Sequence, residues 1–227
     1  MRRLAGRTAL GLLAIALAGL VAFWALNGAY DDIADRPVPD LPDGALKIVA
    51  FGSSLTAKND WPDALADRLA ACRGAAVEMI HVAKPGAGST WGVGAVTTVI
   101  AAEPDLVLME FAINDADLRD GVGFGKSQDQ HEVILQRLAD ELPEARVLLM
   151  TMSPAHGLRG AMRPRLGAYY QGYRDLAEAH GAGLLDLYPR WRGGPKALRT
   201  FEDGLHPSNE AVREVLLNPA ETLLCEE

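Results

Sequence analysis

Five short apolar runs, each separated from the next by a longer segment of helical period, constrain this chain most. The runs are Leu46–Phe51, Val77–Val82, Leu106–Phe111, Val147–Met152 and Gly183–Leu187. Each is too short for a stable helix. Their near-continuous apolarity predicts strands buried on both faces. Between them the apolar spacing predicts helices near Trp61–Cys72, Thr90–Ala102, Gln128–Leu142 and Arg165–His180, and a last helix starting near Pro207. Parallel neighbours need crossovers of a dozen or more residues, and these segments supply them. The pattern therefore predicts an α/β domain over residues 46–227, with a five-stranded parallel sheet and helices on both faces. No internal repeat or second composition break divides it. In such a sheet ligands bind beyond the carboxyl ends of the strands. The segments just after the strands are therefore where chemistry is expected.

A sixth apolar run has another character. Ala9–Leu26 is uncharged, and its 18 residues approach the ~20 that span a bilayer as a helix. Arg2, Arg3 and Arg7 precede it, and Asp31 and Asp32 follow it. Positive charge before the run predicts a cytoplasmic N-terminus and a body on the far side, with Trp24 and Tyr30 as interfacial aromatics. Residues 1–29 are read as a signal-anchor helix or a signal peptide. The anchor is preferred, because Asn27 and Phe23 spoil the small-residue pattern of a cleavage site. The expected location is a bacterial-type inner membrane with the body in the periplasm, or secretion if the segment is cut. Residues 30–45, with three prolines and several aspartates, read as an extended linker. Export would make a Cys72–Cys225 disulfide chemically accessible. The sequence leaves their pairing open.

From Asp31 onward the chain holds 19 basic and 30 acidic residues, a net charge of −11. This argues against nucleic acid as a partner, which needs clustered Lys and Arg. Two cysteines build no disulfide framework and fit no zinc motif.

Four segments carry chemistry. After the first strand, Gly52-Ser53-Ser54-Leu55-Thr56 turns sharply with exposed hydroxyls, or is a plain helix cap. After the second, Lys84–Thr90 is rich in glycine, so the backbone can come close to a ligand at Gly86. After the third, Asn114 can donate its amide to a developing oxyanion, or end the strand in an Asx turn. Before the last helix, Asp203 stands three residues ahead of His206, close enough to orient the imidazole. Each is weak alone. Together they supply nucleophile, base, orienting acid and oxyanion donors, the set that acyl transfer needs.

In order and spacing these four segments resemble the SGNH hydrolases, also called GDSL-type esterases and lipases, over Lys47–Leu217. Ser54 lies in a block similar to Gly-Asp-Ser-Leu, Gly86 resembles the second-block glycine, Asn114 resembles the asparagine of Gly-x-Asn-Asp, and Asp203 and His206 resemble the final Asp-x-x-His. The resemblance implies a flavodoxin-like three-layer α/β/α sandwich. It implies Ser54 as nucleophile, His206 as general base and Asp203 as its orienter. The implied oxyanion hole is the Ser54 N–H, the Gly86 N–H and the Asn114 side chain, and no metal or organic cofactor is implied. Ser53 replaces the family's Asp, and Ala112 its Gly. Both departures bear on substrate preference.

The expected activity is hydrolysis of short acyl or acetyl esters, on a small molecule or an envelope carbohydrate. Two rivals stay open: an O-acyltransferase acting on an exopolysaccharide, and a catalytically silent carbohydrate-binding module. Asp120–Ser127 approximates a phosphate-binding loop. However, Asp120 stands in place of its first glycine and no strand directly precedes it, so it is read as a mobile loop able to cover the site, with Lys126 near an anionic or sugar substrate. Tyr169, Tyr170, Tyr173 and Arg174 are neighbours on a helix and can stack on sugars or pack inside. Tyr188–Trp191 can wall a pocket. His156 follows the fourth strand, and His81, His131 and His180 have no metal-ligand spacing.

Overall fold

The computed structural model describes residues 30, 32–119, 122–195, 201 and 203–225. Five strands form one parallel sheet: β1 (Leu46–Gly52), β2 (Val77–Ala83), β3 (Leu106–Glu110), β4 (Arg146–Thr151) and β5 (Gly183–Asp186), in the order β2-β1-β3-β4-β5. Five long helices follow the expected pattern: α2 (Trp61–Arg73), α3 (Ser89–Ala101), α5 (Phe124–Glu141), α7 (Leu166–His180) and α9 (Asn209–Cys225). Helices α2 and α9 pack together on one side of the sheet, and α3, α5 and α7 pack in a row on the other. This is the α/β architecture expected. Strands β1 and β3 are its centre, with Ile48, Val49, Phe51, Leu106 and Met109 wholly buried.

Four short helices were not legible: α1 (Ser54–Ala57), α4 (Ala112–Asp115), α6 (Gly157–Ala161) and α8 (Leu187–Gly193). All follow strands. One or two turns are too few for a 3.6-residue period to show. Two boundaries also move. Helix α5 begins at Phe124, so Phe124–Ser127 is its first turn and not part of a mobile loop. Ser127 is buried there, while Lys126 stays exposed on the helix. Helix α9 begins at Asn209, after Pro207, because Ser208 Oγ accepts the Ala211 N–H at 3.2 Å and caps it.

The stretch read as a linker lies against the domain. Arg36 exchanges two 2.9 Å backbone hydrogen bonds with Leu184, extending the sheet antiparallel beside β5. Tyr30 is buried and not interfacial. Its hydroxyl donates to Asp186 Oδ1 at 3.3 Å, its ring meets Tyr188 edge-on, and the Arg174 guanidinium lies 3.9 Å above it. Asp35 pairs with Arg190, and Asp186 also accepts the Thr151 hydroxyl at 2.7 Å. Tyr169, Tyr170 and Tyr173 are core residues, which leaves none of the three free to stack on a sugar.

Cys72 at the end of α2 and Cys225 at the end of α9 are joined as a disulfide, with Cα atoms 6.3 Å apart. No described helix is long and apolar enough to cross a membrane. The Ala9–Leu26 run lies outside the described residues.

Candidate active site

The sheet reverses its winding between β1 and β3, and in such sheets ligands bind outside the carboxyl ends of the strands at that point. Strand β1 ends at Gly52, level with Glu110 of β3. A side chain at Gly52 would meet Glu110 Oε1 at 2.4 Å, so only glycine lets the two strands end this way. Ser53 follows in extended backbone and its Oγ accepts the Leu55 N–H at 3.3 Å. That cap starts α1 and places Ser54 on its first residue.

Glu110 explains the serine at position 53. Its carboxylate accepts the Ser53 N–H at 2.6 Å, the Ser53 hydroxyl at 3.0 Å and the Thr56 hydroxyl at 2.8 Å. The acid thus lies beneath the turn, on a neighbouring strand. Burial raises its carboxyl to about 7, against the pull of the Ser53 and Thr56 donors. The sequence did carry a signal for it: one acid inside the apolar run Leu106–Phe111.

Residues 203–206 are folded by their own acid. Asp203 Oδ1 accepts the N–H groups of Leu205 and His206 at 2.9 and 2.8 Å, closing an Asx turn. The buried Leu205 side chain anchors it, and the His156 N–H donates to Gly204 O at 2.7 Å. Within this turn His206 Nδ1–H donates to Asp203 Oδ2 at 2.6 Å. Partial burial raises the Asp203 carboxyl, but the His206 N–H, its ring and the Leu205 N–H outweigh it and hold the acid well below the ordinary carboxylate range. Across 152 residues of chain, the Ser54 hydroxyl donates to His206 Nε2 at 2.9 Å. Serine, histidine and aspartate are thus in one unbroken hydrogen-bonded line, with Ser54 only 4% exposed.

The remaining two predicted residues, Gly86 and Asn114, lie on stretches that are tied to each other, and the first of these is tied to the end of β1. The Lys84 N–H donates to Gly52 O at 3.1 Å, which fixes the loop after β2 against the Ser54 turn. Gly86 has φ +77°, the left-handed region that suits glycine. Asn114 Nδ2 donates to Ala87 O at 2.9 Å and keeps its second amide hydrogen for another acceptor.

A polar cluster not anticipated in the sequence holds the Asn114 segment. Tyr173 Oη accepts the N–H groups of Phe111 and Ala112 at 2.7 and 3.3 Å and donates to His131 Nε2 at 2.9 Å. His131 Nδ1–H donates to Ser127 O at 2.7 Å. Burial lowers the imidazole's proton affinity, which keeps it neutral. Asp115 accepts the Ser89 N–H at 2.8 Å and the Ser127 hydroxyl at 2.6 Å, tying α3 and α5 to the strand end. Asp117 pairs with the buried Arg163 at 2.8 Å. A cavity of about 610 Å³ opens beside Asp203, with His156, Met162 and Phe201 in its wall.

The fold recurs in known proteins. A family model described as GDSL-like Lipase/Acylhydrolase matches residues 50–213. No curated protein sequence matches the chain. Among solved structures, a lipase/acylhydrolase from Enterococcus faecalis shares 26% identity, with a TM-score of 0.68 over 78% of this chain and 95% of that one. TesA shares 23% identity, with a TM-score of 0.63 over 78% of this chain and 97% of that one. Axe2, an acetylxylan esterase from Geobacillus stearothermophilus, has the same fold at 18% identity, with a TM-score of 0.64 over 83% of this chain and 98% of that one. A family match over most of the folded body, joined to this site, leaves one conclusion: the chain belongs to the GDSL-like lipase/acylhydrolase family and is a serine hydrolase of ester bonds.

Proposed function

We propose that Ser54, His206 and Asp203 hydrolyse short acyl esters, acetyl esters of carbohydrate among them, on the extracytoplasmic side of a membrane. The observation that carries this is the unbroken line from Ser54 Oγ through His206 to Asp203, at 2.9 and 2.6 Å. Ser54 Oγ attacks the acyl carbon while His206 Nε2 takes its proton. Asp203 holds the ring so that Nε2 faces the serine, and stabilises the imidazolium. The oxyanion is met by the N–H groups of Ser54 and Gly86 and by the Asn114 amide. The bond to the alcohol oxygen then breaks and the imidazolium protonates that oxygen. Water, deprotonated by His206, cleaves the acyl-serine and frees the acid.

The acetyl-sugar reading draws on the acetylxylan esterase that shares the fold. The location draws on Arg2, Arg3 and Arg7 ahead of the Ala9–Leu26 run. The Cys72–Cys225 disulfide also supports it, because such bonds persist in oxidising compartments. The test is a panel of p-nitrophenyl esters and acetylated sugars run with the parent chain and Ser54→Ala. Hydrolysis of acetyl esters that vanishes in the variant supports the reading. Equal rates in both proteins sink it, and acetyl transfer to glycan exceeding release of acetate would mark a transferase.

A further inference from the structure

We infer that the carboxyl end of the sheet, where the active site opens, lies against an anionic lipid surface. The inference rests on the anchored reading of the Ala9–Leu26 run and adds to it an orientation. Tyr30 fixes where the chain enters the domain. It is buried against Asp186, the last residue of β5, so entry is at the carboxyl end of the strands. Three residues, Asn27 to Ala29, separate it from Leu26. They reach at most about 14 Å when fully extended. A body pinned at Tyr30 by Asp186, Tyr188, Arg174 and Arg192 cannot swing freely on so short a connection, and it presents this end to the bilayer.

The surface there suits that partner. Four large apolar side chains are exposed among the described residues, and three lie at the carboxyl end: Ile33 beside β5 at 53%, Leu118 after α4 at 63% and Leu158 on α6 at 78%. The fourth, Val133, is on the flank of α5. Exposed apolar groups gathered at one end mark an interaction surface more than the same groups scattered singly. Charge follows the same polarity. Lys58, Lys84 and Arg165 are exposed in the loops after the strands, with Arg159 and Arg192 half-buried among them and Arg119 exposed but bonded to Asp117. Three of the acids at this end, Asp35, Asp117 and Asp203, are paired with Arg190, Arg163 and His206, and Asp32 is exposed. The opposite end exposes Asp40, Asp43, Glu103, Glu141 and Glu144, with Lys47, Arg73 and Arg146 half-buried there. A body of net charge −11 thus turns a cationic, apolar end toward its membrane segment, the charge pattern that anionic headgroups attract.

The test uses the full chain mixed with vesicles of phosphatidylethanolamine and phosphatidylglycerol carrying brominated acyl chains. An environment-sensitive fluorophore is placed by Leu118→Cys or Leu158→Cys, with Val133→Cys on the flank and Glu144→Cys at the opposite end as controls. Circular dichroism checks that each variant folds. Flotation with the vesicles, together with quenching and blue-shifted emission at 118 and 158 but not at 133 or 144, supports the orientation. Flotation with equal emission at all four positions, or strongest quenching at 144, overturns the orientation and leaves anchoring standing. Failure to float overturns the anchored reading, and the orientation falls with it.

Discussion

Ser53 and Ser54 are adjacent and buried, yet their hydroxyls serve opposite partners. Ser53 faces Glu110 and shapes the turn, while Ser54 faces His206. Replacing Ser54 by Ala is expected to lower kcat on p-nitrophenyl acetate by on the order of 10³-fold or more, with an unchanged circular dichroism spectrum. Asn114→Ala is expected to cost on the order of 10²-fold in kcat with little change in KM, if the amide hydrogen not held by Ala87 O meets the developing oxyanion as proposed. Glu110 yields a stability prediction of definite sign. Its carboxyl sits at about 7 in the folded protein, against 4.5 ordinarily. Below 4.5 both states hold the proton, and as pH rises toward 7 the unfolded chain releases it first. Stability from this group is therefore full in acid and is lost on the way to neutrality, by about 3 kcal/mol. Urea denaturation of Glu110→Gln should show a flatter pH profile across that window, and a profile parallel to the parent's would refute the assignment.

At the scale of elements, sequence and structure agree where burial dictates the pattern. Four of the five strands were legible because a strand covered on both faces reads as an unbroken apolar run, while β2, an edge strand with Glu78 and His81 exposed, showed only a broken one. The four site segments were legible because each had to follow a strand or precede the last helix. Glu110 escaped as a functional residue because its partners, Ser53 and Thr56, are brought to it only by the pairing of Gly52 with Glu110. The His131–Tyr173 cluster escaped for the same reason, its members lying 42 residues apart. The stretch after Tyr30 reads as a linker by composition, since prolines and aspartates build no core. Its docking depends on side chains presented by β5, α7 and α8. Edge strand β5 has only four residues, and a covered edge is protected from pairing with another chain. Removing the buried ring by Tyr30→Ala should cost about 3 kcal/mol, read as a lower urea midpoint.

At the scale of the molecule, the disulfide joins the ends of α2 and α9 on one face and encloses a sequence separation of 153 residues. Closing so long a loop restricts the unfolded chain, so Cys72→Ser is expected to lower stability by about 3 kcal/mol. It should leave kcat unchanged, because neither cysteine approaches the carboxyl ends of the strands. The proposed activity rests on one site assembled from four separate stretches of chain, and a reactive serine is the property that site must confer. Labelling by a fluorophosphonate, followed by peptide mapping, tests this most directly. The adduct is expected on Ser54 alone, and it should disappear in Asp203→Asn together with esterase activity. An unlabelled Ser54 in a folded, active protein, or an adduct on Ser53, would contradict the account.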